Sequence, residues 1–416
     1  MSQLLDDDLR NIWHPFSPVA GEPPVVVTSA KGIYLYTEDG RRIIDGVSSW
    51  WVNIHGHSHP AIAEAIYKQA KELEHVIFAG FTHRPAIELS KNLLTILPSN
   101  QSKVFFSDNG STAVEVALKM AIQYWHNLGT PKRKVVAIEG AYHGDTFGSM
   151  SVGDRGLFTE PFSKHLFDAE FIPFPDDDRC ADVFQKIVDE GDVFAFIYEP
   201  LVQGAAGMRM YSPQVLSRLV EIARKANVLC IADEVFTGFG RTGRLFASEQ
   251  PDIMALSKGL TGGTMALGIT TCTSRIFNAF QSNELSKTFF HGHSFTANPI
   301  ACASANASFE LLMSKECQER IKAISSAQGT FRDKLKGHRS LSDIRSTGTI
   351  LALEVKTGNA TSYGNSLKHE IYKFFMDKGI LLRPLGNVIY FLPSYVFTDD
   401  ELAIVHDAIE EFLERR

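Results

Sequence analysis

Between about residue 60 and residue 300 the sequence alternates short apolar runs with stretches of helical periodicity, and this limits the fold more than any other feature. Residues 104–106, 134–138, 194–198 and 228–232 read as strands. Helical stretches separate them. After the turn Asp108-Asn-Gly110-Ser111, for example, Ala113, Val116, Ala117, Met120, Ala121 and Tyr124 recur at three- and four-residue spacing on one face. Such alternation predicts an α/β domain with a mainly parallel central sheet.

The flanks have a different character. Residues 1 to about 55 mix β-like runs with turns, and residues 32–45 read as a hairpin around Asp39-Gly40. After residue 305 the pattern predicts a long polar helix over 307–336. A βαβ-like tail follows, with strands at 350–355, 380–383 and 388–391 and a helix at 364–378. A last helix covers 398–415. The expected organisation is an N-terminal segment (1–58), a large domain (59–304) and a smaller α+β C-terminal domain (305–416) that the N-terminal segment joins in space.

Composition narrows the function classes. A chain of 416 residues, 44% hydrophobic and 21% charged, has the make-up of an ordinary globular protein. A net charge of −7 is no footprint for nucleic acid. No apolar run approaches the length of a membrane span, and the acidic start lacks a signal-peptide core. The five cysteines form no Cys-x-x-Cys pair and several sit in apolar runs, as in a reduced compartment. The expectation is a cytoplasmic protein with neither nucleic acid nor membrane as partner.

Lys258 carries the most chemical information. It sits in Ala255-Leu-Ser-Lys-Gly-Leu-Thr-Gly-Gly263, between an apolar run and a Gly-rich turn. Twenty-five residues earlier, a second apolar run ends in Asp233-Glu234. A lysine amine can form a Schiff base with the aldehyde of pyridoxal 5′-phosphate (PLP). A strand-end carboxylate can keep the pyridine nitrogen protonated, so that the ring withdraws electrons. Taken alone, a solvated loop lysine and a helix-capping aspartate would read the same way.

Other segments supply what such a site needs. Gly110-Ser111 lies where a strand turns into a helix, and free N–H groups there bind phosphate; a plain helix cap is the simpler reading. Tyr142, in Gly140-Ala-Tyr-His-Gly-Asp145, is placed to cover one face of a flat ring. Gly238-Phe-Gly-Arg-Thr-Gly243 matches a dinucleotide-binding pattern, but no convincing helix opens behind it, which argues against a nicotinamide oxidoreductase. His55, His57 and His59 lack a completing ligand pattern and read as turn and packing residues rather than a metal site. If residues 48–54 are extended, Trp50 and Trp51 point to opposite faces, so that one at most lines a pocket. Arg383, before Pro384, can clamp a carboxylate.

Together these motifs resemble class-III, fold-type I, PLP-dependent aminotransferases over nearly the whole chain. The resemblance rests on Asp108-Asn-Gly-Ser111, Tyr142-His-Gly-Asp145, Ile231-Ala-Asp-Glu-Val-Phe-Thr-Gly-Phe-Gly-Arg-Thr-Gly243 and Ser257-Lys-Gly259, in that order. Ile12-Trp-His-Pro-Phe16, the Trp50-Trp51 pair and Gly207-Met-Arg-Met210 are similar to the branch that aminates 8-amino-7-oxononanoate with S-adenosylmethionine in biotin biosynthesis. The resemblance implies a ping-pong homodimer whose active site lies at the subunit interface. It makes Lys258 the Schiff-base lysine, Asp233 the partner of the ring nitrogen, and Gly110 with Ser111 the phosphate holders. His293 and Ser294 would complete the phosphate site of the other subunit, with Gly292 at a substrate contact. Tyr142 would cover cofactor and substrate, while Phe16, Trp50 and Arg383 would bind substrate, Arg383 at its far carboxylate.

Two positions depart from familiar members of that branch. Phe16 stands where they have tyrosine, and Gly292-His293-Ser294 where they have Gly-Pro-Thr. Relatives that take lysine as donor also carry Gly-His-Ser, so both donors stay open. The alternatives are another ω-amino acid or diamine aminotransferase, and a catalytically dead protein of the same fold.

Overall fold

Seven strands build the central sheet, in the spatial order Gln101–Ser107, Gly268–Thr273, Ile253–Leu256, Leu229–Asp233, Val193–Tyr198, Lys134–Ile138 and Glu170–Ile172. Only Gly268–Thr273 runs against its neighbours. The pairings from Ile253–Leu256 to Glu170–Ile172 are all parallel. The computed structural model describes residues 2–177, 179–358 and 361–416.

The inner parallel strands are buried on both faces, and for that reason they read as unbroken apolar runs. Val136 and Ile138 face one core together with Phe196, Tyr198 and Met254. Val135 and Ala137 face a second core, made with Ile197, Ile231 and one side of the helix Gly110–Asn127. All five cysteines are buried and no disulfide links them. Among the described residues no helix is long and apolar enough to cross a membrane.

The hairpin around Asp39-Gly40 is present, with Tyr34–Thr37 paired antiparallel to Arg42–Asp45. Three other expectations are corrected. The polar helix at 307–336 is the end of one helix, Pro299–Met313, and most of a second, Lys315–Leu335. Ser314 breaks them: its backbone is extended, and its hydroxyl accepts from Cys317 N (3.2 Å), starting a new helix.

The tail is not a βαβ unit. Ile350–Val355 lies between Leu341–Thr347 and Val388–Phe391, antiparallel to both. The short strand Ile380–Leu381 leaves that sheet and pairs in parallel with Arg42–Asp45 of the N-terminal segment. Pairing there is only two residues long, and Pro384 follows without an N–H to donate.

Residues 48–51 are not extended. They form a left-handed turn, with φ of 49°, 43°, 68° and 74° at Ser48, Ser49, Trp50 and Trp51. Each such residue costs about 1–2 kcal/mol. Asp45 offsets part of this by accepting from Val47 N (3.2 Å) and Ser49 Oγ (2.8 Å), while Ser48 Oγ donates to Leu392 O (2.7 Å).

Candidate active site

The C-terminal ends of neighbouring strands meet at one cavity of about 660 Å³. In open α/β sheets this end collects functional groups, because the loops that leave it are free to vary. Asp233 ends one strand. Glu199 follows Val193–Tyr198, and Tyr142 follows Lys134–Ile138 through a short loop. Gly110 and Ser111 open the helix after Gln101–Ser107. Lys258, at φ 47°, follows Ile253–Leu256. All of these line the cavity.

Lys258 is half-buried, and its amine lies 4.8 Å from the Trp51 ring and 5.9 Å from that of Phe236. Among the described residues it forms no ion pair or hydrogen bond. Burial lowers its pKa, although the charges of Asp233 and Glu199 pull the other way. Asp233 is buried and accepts from Val235 N (3.1 Å), and its other oxygen lies 2.7 Å from His143 Nδ1. His143 Nε2 is buried without a partner among the described residues. Glu199 accepts from Tyr142 N (3.0 Å) and Gly204 N (2.9 Å), and burial pushes its carboxyl up to about 7. The Tyr142 hydroxyl donates to Asp145 (2.9 Å), and burial, then that carboxylate, raises its pKa.

At the helix start, Asn109 and Thr112 form a reciprocal cap: Asn109 Oδ1 accepts from Thr112 N (2.9 Å), and Thr112 Oγ1 from Asn109 N (3.1 Å). The cap leaves the Gly110 and Ser111 amides for another acceptor. A Cβ at Gly110 would lie 2.6 Å from Val235 Cγ1, so glycine lets the helix start approach the end of the Asp233 strand.

Trp51, rather than Trp50, faces the lysine. It is 5% exposed and donates to the Tyr390 hydroxyl (3.1 Å). Trp50 is 38% exposed and belongs to a second cluster. The Phe16 ring meets it edge-on at 5.2 Å, and the Arg383 guanidinium lies 4.5 Å over its face. Arg383 has no carboxylate or hydrogen-bond partner among the described residues. Gly292, His293 and Ser294 line no part of the Lys258 cavity of their own chain; Gly292 and Ser294 are exposed.

The segment at 238–243 folds as successive turns. Its Arg241 is fully buried and donates to the carbonyls of Pro393 (2.8 Å), Trp51 and Asn53 (both 3.3 Å), so it holds the left-handed tryptophan turn from behind. The three histidines at 55–59 act singly: His55 Nε2 lies 3.1 Å from Ser308 Oγ and His57 Nε2 2.9 Å from Asp45, while His59 caps a helix. Among the described residues no group of three or more His, Cys, Asp or Glu side chains could hold a metal ion.

Sequence reasoning missed Trp51, His143 and Glu199 as lining residues. Glu199 carried the same signal as Asp233, a carboxylate directly after an apolar run. His143 adjoins Tyr142 in the motif already singled out.

The class-III aminotransferase family matches residues 16–413. The chain is a class-III aminotransferase. A relative from Synechococcus elongatus, called adenosylmethionine-8-amino-7-oxononanoate aminotransferase, is 48% identical over 97% of this chain and 98% of its own length. A relative of the same name from Geobacter sulfurreducens is 38% identical over 98% and 96%. The crystal structure of the like-named protein from Methanocaldococcus jannaschii superposes with a TM-score of 0.94 at 33% identity, over 99% of this chain and 98% of that one. An omega transaminase from Pseudomonas jessenii, in complex with PMP, gives a TM-score of 0.92 at 26% identity over 100% and 98%.

The aminotransferase cavity fits PLP, the cofactor of this class. It offers an unpaired amine for the aldehyde and a buried, fixed carboxylate for the ring nitrogen. It also offers uncommitted amides at a helix start for the phosphate, and aromatic walls for a flat ring.

Proposed function

We propose that this aminotransferase converts 8-amino-7-oxononanoate to 7,8-diaminononanoate in biotin biosynthesis, with S-adenosylmethionine as amino donor. The supporting observation is the unpaired Arg383 on the face of Trp50, beside Phe16: a cation at the end of an apolar stretch suits the far carboxylate of a long aliphatic keto acid. The names of the full-length relatives support the same substrate pair.

PLP, bound in the cavity, supplies the aldehyde and the electron-withdrawing ring that amino transfer requires. The chain supplies the rest. Gly110 and Ser111 would anchor the phosphate. Asp233, held between His143 and Val235 N, would partner the ring nitrogen. Tyr142 would cover one face. Lys258, with its lowered pKa, is neutral more readily than a surface lysine, so it can take a proton from the substrate carbon and return it. Two substrates then use one site in turn.

The homodimer belongs to the same reading. Phe290 and Phe295 are 68% and 63% exposed, on either side of Gly292, His293 and Ser294. A second copy that covered them would bring this segment to the partner's phosphate site. We place the enzyme in the cytoplasm, and divide the chain at 58 and 304 into a PLP-binding large domain and a smaller domain formed by its two ends.

The test is product formation from 8-amino-7-oxononanoate by purified holoenzyme with each donor separately. Diamine formed with S-adenosylmethionine supports the reading. Diamine formed only with lysine reassigns the donor and keeps the acceptor. Failure to aminate the keto acid with any amine refutes it.

A further inference from the structure

A second cavity, of about 850 Å³, adjoins the first. The two share the wall formed by Tyr142, His143, Gly144 and Asp145. The second cavity runs between that loop, the segment at 156–159 and the segment at 361–364. Phe158 stands at its junction with the Phe16–Trp50–Arg383 cluster, its ring 5.8 Å from Phe16, 6.4 Å from Tyr142 and 4.9 Å from Tyr363.

The wall chemistry differs from anything a straight-chain keto acid needs. The Arg209 guanidinium lies 3.5 Å over the Phe174 ring and has no ion pair or hydrogen bond among the described residues. Behind Gly140, Gln203 is fully buried; its Nε2 donates to Glu139 O (3.0 Å), and its Oε1 has no partner among the described residues. Gln203 Oε1 and Arg209 Nη1 converge on Gly140, 3.0 and 3.6 Å from where a Cβ would stand. Arg345 is committed to Asp343, Glu354 and two backbone carbonyls. Among the described residues, that leaves Asp145, Asp154 and Asp176 facing the cavity against one uncommitted cation, Arg209.

We propose that this second cavity takes the purine nucleoside of a sulfonium amino donor, so that donor and keto acid reach Lys258 along different arms. The proposal rests on the donor named above. Phe158 and Tyr363 supply aromatic faces for the base, since every base has a face that stacks. Arg209, which lines the cavity, supplies an unpaired donor fork for its edge. The carboxylate excess and the Tyr142 ring suit a sulfonium cation on its way to the lysine. A free lysine donor would use the carboxylates alone and leave the aromatic faces and Arg209 unmatched.

The experiment compares wild-type holoenzyme with Tyr363→Ala and Arg209→Gln. Initial rates are varied in both substrates, and binding of 5′-deoxy-5′-methylthioadenosine, a nucleoside thioether, is followed by calorimetry. The expected result is a rise of about tenfold in KM for S-adenosylmethionine in each variant, with KM for the keto acid within about twofold. The thioether should compete with the donor and bind both variants more weakly. Unchanged donor KM, or equal rises for both substrates, overturns the proposal. Should wild-type enzyme ignore S-adenosylmethionine, the donor assignment falls. Thioether binding that is lost in the variants would then keep the cavity as a nucleoside site, and no binding to wild type would remove it.

Discussion

Gly268 opens the strand directly behind the start of the helix Gly110–Asn127. A Cβ there would lie 2.2 Å from Asn109 O and 2.6 Å from Ser107 Oγ. Ordinary contact begins near 3.4 Å, so Gly268→Ala must drive the Asn109 carbonyl back by about 1 Å, in an interior too dense to absorb it. Gly268 has no positive φ, so alanine suits the backbone and the collision is the whole effect. Overpacking of this kind costs about 1–3 kcal/mol, and disturbing the Asn109 cap adds about 1 kcal/mol. The expected destabilisation is about 3 kcal/mol. PLP affinity should fall about tenfold or more, because the Gly110 and Ser111 amides move with the cap. Gly329→Ala is the control: it lies inside the helix Lys315–Leu335 with nothing within 4 Å of its Cβ position, and should stabilise by about 0.5–1 kcal/mol. Urea unfolding of the cofactor-free proteins and absorbance titration with PLP measure both quantities. The reasoning is refuted if Gly268→Ala matches wild type in stability and PLP affinity.

Lys258→Ala should abolish turnover; a variant near the wild-type rate would contradict the proton-transfer role. Arg383→Ala should raise KM for the keto acid by about tenfold or more, the value of a charged hydrogen bond, with little change in kcat; unchanged KM would remove the carboxylate clamp. Glu199 gives a pH signature. Its folded pKa, about 7, exceeds the ordinary value of 4.5, so the stability it contributes is complete below pH 4.5 and is lost as pH rises to about 7. In cofactor-free Glu199→Gln that slope, about 3 kcal/mol over the window, should be missing from urea-unfolding curves; equal slopes in variant and wild type would argue against it.

The inner parallel strands were legible because they are buried on both faces and therefore read as plain apolar runs; Gly268–Thr273, half threonine, and the three-residue edge strand Glu170–Ile172 carry no such run. Lys258, Asp233, Gly110, Ser111 and Tyr142 could be named in advance because each sits at the end of such a run, and the sheet alone brings those ends together. What failed was local geometry set by distant partners. Nothing in Ser48-Ser-Trp-Trp51 announces four left-handed residues without glycine; Leu392 and Arg241 hold them from elsewhere in the chain. The exchange of Ile380–Leu381 into the N-terminal sheet is equally non-local, since a two-residue strand carries no periodicity. Ser314 could have been caught, because a serine before Lys-Glu-Cys317 is a helix-start signal lying inside a helical pattern. Beyond the loop at 140–145 the second cavity has no sequence motif, because its walls come from many separate segments.

The most direct measurement is the visible absorbance of the lysine-bound cofactor in purified holoenzyme after S-adenosylmethionine is added, with lysine in a parallel cuvette. The account predicts loss of the band with S-adenosylmethionine and its return when 8-amino-7-oxononanoate follows. A band that persists with both amines would contradict the assignment of this substrate pair.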